Sequence, residues 1–188
     1  MLYCIYLTVG DGIMNSAIKN IRPVTAADMP NIRAVYDSAK RFMDSIGDQN
    51  QWPVGYPYDD ILAEDIAQGN LFAVCGNDGI PHGVFALIRG VDRTYINIYD
   101  GAWLSEREYV ALHRVASDGK TRGVMRAAVA FAQAEHPDCD IRIDTHEDNS
   151  KMHSVLTALG FKKCGIIIID TGAPRVAYQL ETDKITQC

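Results

Sequence analysis

The sequence has no Cys-x-x-Cys pair. Its five cysteines, Cys4, Cys75, Cys139, Cys164 and Cys188, are odd in number and scattered over 188 residues. That spacing disfavours both a disulfide framework and a zinc knuckle and points to a reduced, cytoplasmic setting. Nor does any apolar run approach the ~20 residues of a membrane span; Ile166 to Ile169 is strand-sized. The apolar opening MLYCIYLTVGDGI lacks the basic region and small-residue cleavage site of a signal peptide, so secretion is not expected. A start at Met14 is an alternative reading of that segment. Positive charge is also short: 18 Lys and Arg against 24 Asp and Glu give a net charge of −6, which argues against general nucleic-acid binding.

What is present suits one domain, with 47% apolar and 22% charged residues. The pattern begins with a short strand at Lys19 to Val24, and Thr25-Ala26-Ala27-Asp28 resembles a capping box. Met29, Ile32, Val35, Tyr36, Ala39, Phe42 and Met43 then predict a helix to about Ile46. The stretch GDQNQWPVGYP reads as an irregular loop, followed by a short helix near Asp60 to Gln68. LFAVC and HGVFALIRG, joined by Asn77-Asp78-Gly79, read as a hairpin. Thr94 to Tyr99 is a further strand or an extended loop, and Glu108 to Ala116 a clear strand. A helix at Arg122 to Glu135, a strand at Cys139 to Thr145, a helix at Ser150 to Leu159 and a final antiparallel pair complete the order. This predicts an α+β fold, a mixed and mostly antiparallel sheet with helices on both faces and one parallel crossover. Residues 1–18 are set aside as an extension, 19–181 form the domain and 182–188 a tail.

The crossover segment carries the chemistry. Between His113-Arg114-Val115 and the next helix, Lys120, Arg122 and Arg126 bring three cations, with Gly119 and Gly123 among them. Helix N-terminal amides flanked by cations suit a diphosphate. Gly119-Lys120-Thr121 matches the tail of a nucleotide-triphosphatase loop, but Arg114 stands where the first glycine is required, and that reading fails. Further on, Asn149 to Phe161 holds a helix cap, a helix and a Gly160-Phe161 stop.

These two segments, with the opening Ile21-Arg22-Pro23 strand and the terminal hairpin, resemble the GNAT superfamily of acyl-CoA-dependent N-acyltransferases over roughly Ile21 to Leu180. Lys120 to Met125 is similar to the family phosphate loop Q/R-x-x-G-x-G/A, with Gly123 in register and Met125 where a small residue is usual. Asn149 to Phe161 is similar to N-x-x-A-x-x-L-Y-x-x-x-G-F, with Asn149, Gly160 and Phe161 in register.

The resemblance implies a splayed central strand pair holding acetyl-CoA as acyl donor. It assigns contact with that donor to His113, Arg114 and Val115, to Lys120, Thr121 and Arg122, to Gly123, Val124, Met125 and Arg126, and to Asn149, Met152 and His153. A backbone N–H near His113 to Val115 would polarise the thioester while an amine attacks directly. The amine must first lose a proton. The position at which several family members carry an acid is Tyr109 here, so His113 and Asp144 become candidates beside it, with Glu106 and Glu108 in reserve. Leu156 stands at the family's acid tyrosine; His153, one turn earlier, or solvent would protonate the departing thiolate.

Trp52, Tyr56 and Trp103 are expected on the acceptor side, favouring a small-molecule or peptide amine. No metal is required: His146-Glu147-Asp148 reads as a solvated cluster. No nucleic acid or membrane is expected as partner, and a homodimer is compatible with the family. The competing reading is a degenerate module that binds acyl-CoA without turnover, motivated by Met125, Tyr109 and Leu156.

Overall fold

In the computed structural model, which describes residues 18–47 and 50–182, the elements follow the order that periodicity predicts. They are β1 (Ile18–Pro23), α1 (Met29–Ser45), α2 (Asp59–Ala67), β2 (Leu71–Gly76), β3 (Pro81–Arg89), β4 (Tyr109–Ser117), α3 (Val124–Glu135), β5 (Asp140–Thr145), α4 (Ser150–Ala158), β6 (Lys162–Ile168) and β7 (Pro174–Leu180). The strands form one mixed sheet in the order β1-β2-β3-β4-β5-β7-β6. β4 and β5 are parallel, while β1–β2, β2–β3, β5–β7 and β6–β7 are antiparallel. This is the expected α+β architecture. No helix among the described residues is long and apolar enough to cross a membrane.

The fold divides into two compact units, one of residues 18–47, 54–86 and 114–128, the other of 50–53, 87–113 and 129–182. In the first, Arg22 on β1 clamps Asp28 through two hydrogen bonds of 2.7 and 2.8 Å, and Asp28 also accepts from the Thr25 amide and hydroxyl. The Arg22 hydrogen bonds hold the Asp28 carboxyl well below the usual range despite its burial. This box starts α1, whose stripe buries Ile32, Val35 and Tyr36. Farther along the same stripe Phe42 is 52% exposed, so the apolar periodicity outruns the core.

In the second unit Tyr95, Ala111, Ile167 and Ala177 form a core cluster, with Trp103 and Tyr109 packed against it. The segment expected to be a strand or an extended loop instead makes a 3₁₀ turn at Arg93–Tyr95, because the Asp92 carboxylate accepts from the Thr94 amide and hydroxyl and Tyr95 turns into the core. The chain then lies along β6: Tyr99 and Ile166 exchange backbone hydrogen bonds of 2.8 Å, and the Ala102 amide donates to the Cys164 carbonyl at 2.9 Å. Such a cover removes a free sheet edge. It requires Gly101, where any Cβ would collide with the Cys164 carbonyl.

The extension assigned to residues 1–18 falls outside the described residues except for Ile18, which opens β1 opposite Gly76. At the other end Thr182 is tied down, its hydroxyl donating to the Cys139 carbonyl at 2.6 Å and its amide to Asp140 at 3.1 Å; the rest of the expected tail lies outside the described residues.

Candidate active site

β4 and β5 pair over only three positions, Tyr109–Asp140, Val110–Ile141 and Ala111–Arg142. β5 keeps its other partner farther, pairing with β7 through Thr145. Leu112 and His113 therefore leave the ladder while Ile143, Asp144 and Thr145 remain in the sheet. The two parallel strands part, and their facing edges beyond Ala111 and Arg142 are free of each other.

One face of the departing β4 carries Tyr109, Ala111 and His113, as alternation predicts. All three gather round Tyr95. The ring of His113 lies 5.7 Å from that of Tyr95, and the ring of Tyr109 6.1 Å from it. The Tyr95 hydroxyl donates to Asp144 Oδ1 at 2.8 Å. Burial, followed by the Asp144 charge, drives the Tyr95 phenol well above its ordinary range, so it remains a donor. His113 Nε2 lies 3.0 Å from Asp92 Oδ2, while the Asp92 amide donates to the Tyr109 hydroxyl at 2.9 Å. The three candidates for proton handling, His113, Asp144 and Tyr109, thus share one cluster. Asp92 and Tyr95 also belong to it, although the local sequence does not single them out: a lone Asp suits a turn, and Tyr95 is one aromatic of an alternating run.

Trp103, expected on the acceptor side, stacks on the Arg142 guanidinium at 4.0 Å and donates its indole N–H to the Tyr95 carbonyl at 2.9 Å. Tyr109 covers Arg142 from a second ring at 4.0 Å. Burial lowers the Arg142 pKa, and its Nε has no hydrogen-bond partner. Trp52 is half-buried on a stretch stitched to the β5–α4 corner by its neighbour. Gln51 Oε1 accepts from the Thr145 hydroxyl (2.8 Å), the His146 amide (2.9 Å) and Asn149 Nδ2 (3.1 Å). Asn149 in turn caps α4, accepting from the Met152 amide at 3.0 Å.

In the other unit, Arg114 occupies the left-handed region at φ 54°, a conformation that costs a non-glycine residue about 1–3 kcal/mol. It is held from two sides: its carbonyl accepts from the Tyr36 hydroxyl at 3.1 Å, and its guanidinium pairs with the buried Asp65 at 2.8 Å. Such a residue interrupts the pleat locally, although β4 runs on to Ser117.

The loop that follows is braced by His82, whose ring nitrogens lie 2.7 Å from Asp118 and 3.1 Å from Asp78. The Asp118 carboxylate accepts from the Lys120 amide at 2.9 Å. Between the β2–β3 turn and this loop lies a cavity of about 300 Å³ lined by Gly76, Asn77, Asp78, His82, Lys120 and Thr121. Gly123 stands at φ 83° with open space where a Cβ would be, and the helical ladder of α3 begins with the Ala127 amide on the Gly123 carbonyl. The amides of Val124, Met125 and Arg126 precede that ladder. Val124 and Met125 are buried, whereas Lys120, Arg122 and Arg126 are exposed. The methionine at the family's small position therefore turns inward and leaves the loop surface clear. Val124 packs on Gly83 of β3, where a Cβ would approach Val124 Cγ1 to 2.5 Å.

The fold is shared with solved structures. A GNAT-family acetyltransferase from Streptococcus agalactiae is 31% identical, with 88% of this chain and 96% of that one covered at a TM-score of 0.78. The chain belongs to the GNAT family of acetyltransferases. A GNAT-family acetyltransferase from Listeria monocytogenes is 20% identical, with 86% of this chain and 93% of that one covered and a TM-score of 0.64. The NatB acetyltransferase complex bound to CoA and MES shares the fold at 11% identity, TM-score 0.58, with 86% and 97% covered. No protein-family model matches the sequence, and no curated protein does.

At the position of the GNAT acid tyrosine, Leu156 is wholly buried. His153, its suggested substitute, has both ring nitrogens engaged, Nδ1 with the Tyr178 hydroxyl at 2.8 Å and Nε2 with the Glu147 carbonyl at 3.0 Å. A carbonyl only accepts, so Nε2 carries the proton and Nδ1 accepts from Tyr178. In this arrangement His153 fastens α4 to β7.

Proposed function

We propose that this GNAT protein transfers the acetyl group of acetyl-CoA to a primary amine of a small molecule or peptide by direct attack. The observation that carries the reading is the parting of β4 and β5 after Ala111 and Arg142, with His113 near the mouth of the gap. The loop fits a diphosphate: amides ahead of the α3 ladder, open space over Gly123, a buried Met125, and Lys120, Arg122 and Arg126 exposed. Acetyl-CoA supplies an activated thioester carbon. Asn149 and Met152 sit at the start of α4, where the pantetheine arm would pass. The backbone at His113 to Val115, beyond the last β4–β5 pair at Ala111, offers the amide that polarises the carbonyl.

His113 takes the proton from the acceptor ammonium, with Asp144 and Tyr109 in the same cluster. Trp52 and Tyr56 contribute to the acceptor site, and Trp103 acts there through Arg142. The departing thiolate takes its proton from solvent, since Leu156 has none to give and His153 is committed to Tyr178 and Glu147.

The test is a panel of amines with acetyl-CoA and a thiol-detecting reagent, run beside calorimetry with CoA. Thiol release with at least one amine is the expected result. CoA binding without thiol release across the panel would favour the second reading, an acyl-CoA-binding module without turnover, which the buried Leu156 favours. Absence of any heat with CoA would overturn both.

A further inference from the structure

Resting on the reading of His113 as the base, we infer that Asp92 is a positioning residue that fixes His113 as the Nε2–H tautomer and leaves Nδ1 as the basic nitrogen. Asp92 lies 21 residues from His113 in sequence, on the connection between β3 and β4, yet its Oδ2 is 3.0 Å from His113 Nε2. Its other oxygen is already spoken for, accepting from the Thr94 amide at 2.8 Å and the Thr94 hydroxyl at 2.7 Å. The Asp92 backbone is pinned as well, its amide donating to the Tyr109 hydroxyl. The carboxylate therefore has one orientation, with Oδ2 aimed at the imidazole.

Burial works to raise the Asp92 pKa, but the hydrogen bonds from His113 and Thr94 outweigh it and hold the carboxyl well below the usual range. An ionised carboxylate only accepts. A neutral His113 must then donate from Nε2, and its lone pair falls at Nδ1. The Tyr95 ring, 5.7 Å away, walls the imidazole on one side and restricts its rotation.

The step balances as follows. The acceptor R–NH₃⁺ gives one proton to Nδ1, and the freed amine forms a C–N bond with the thioester carbonyl carbon. The C–S bond breaks, the sulfur leaves as thiolate and takes a proton from solvent, the amide nitrogen sheds its second proton to solvent, and the imidazolium returns its proton to solvent for the next turnover. The imidazolium formed at His113 is stabilised by the Asp92 charge against Nε2, the role an orienting carboxylate plays beside a histidine base.

The experiment reads the tautomer directly, by long-range proton–nitrogen correlation NMR of the imidazoles in ¹⁵N-labelled protein, with His113 assigned by a His113→Gln variant. The wild type is expected to show His113 as Nε2–H. Asp92→Asn should abolish that preference and lower kcat by about 10- to 100-fold, with KM for acetyl-CoA within about twofold, and Asp92→Glu should recover part of the loss. Thr94→Ala removes one of the two hydrogen bonds that aim the carboxylate but keeps the carboxylate itself, so the Nε2–H preference should persist and the kcat loss should be smaller than that of Asp92→Asn.

An Nδ1–H tautomer in the wild type, or equal kcat losses in Thr94→Ala and Asp92→Asn, would overturn the inference even if acetyl transfer is observed. Conversely, an Nε2–H tautomer with CoA binding but no thiol release from any amine would overturn the catalytic reading while supporting the positioning by Asp92.

Discussion

The hydroxyl of Tyr36 on α1 donates to the backbone carbonyl of Arg114 at 3.1 Å, so a wholly buried side chain holds the one residue of β4 with positive φ. Burial keeps this phenol protonated far above its ordinary range. Tyr36→Phe leaves the carbonyl without that donor, and an unmet buried acceptor costs about 1–3 kcal/mol. Urea unfolding should show a loss of that size, and calorimetry a weakened affinity for CoA, because the backbone after His113 loses a support.

Stability should depend on pH through His82. The hydrogen bond to Asp118 raises the His82 pKa despite burial, and Asp78 adds to it. A histidine raised on folding contributes stability that is fully present below its unfolded value of about 6.5 and is lost as pH climbs through the folded value. The difference in unfolding free energy between wild type and His82→Gln should therefore be larger near pH ~6 than near pH ~8.5. An equal difference at both would show that the brace works through neutral hydrogen bonds alone. Affinity for CoA should follow the same trend, since Asp118 also holds the Lys120 amide.

Gly83 and Val124 should behave as a coupled pair. Gly83→Ala places a methyl about 2.5 Å from Val124 Cγ1, a clash that overpacks the contact and costs about 1–3 kcal/mol. Val124→Ala removes the obstructing methyls, so in a double-mutant cycle the two losses should sum to more than the loss of the double variant. Strict additivity would show that β3 and α3 move apart freely there.

Gly101→Ala should expose the edge of β6. The added methyl cannot coexist with the Cys164 carbonyl, so residues 99–102 must lift. An uncovered edge strand pairs with other chains. Light scattering and size-exclusion chromatography should show more concentration-dependent association than in the wild type.

Periodicity placed the elements to within a few residues because the stripe on α1 and the short, nearly continuous apolar runs on β2 and β3 mirror their burial. The glycine at 123 and the cap at Asn149 were equally visible, since each meets a local backbone need. The inward turn of Met125 was not: it depends on helical phase, which only α3 packed in place defines. The link between Asp92 and His113 was hidden for another reason. It joins a turn to a strand 21 residues away, and nothing in the local pattern near Asp92 separates a carboxylate that caps a turn from one that also grips an imidazole. Thr182 gave no signal either, because its anchoring rests on the buried Asp140 at the start of β5.

A single amide oxygen, that of Gln51, gathers Thr145, His146 and Asn149 at the corner between β5 and α4. Arg175 Nη2 also donates to the Gln51 carbonyl at 3.1 Å, so this one residue is held by its side chain and its backbone together. If the stretch beside it borders the acceptor as proposed, acceptor preference can diverge by exchanges that leave Gln51, and with it the strand end beneath, as they are.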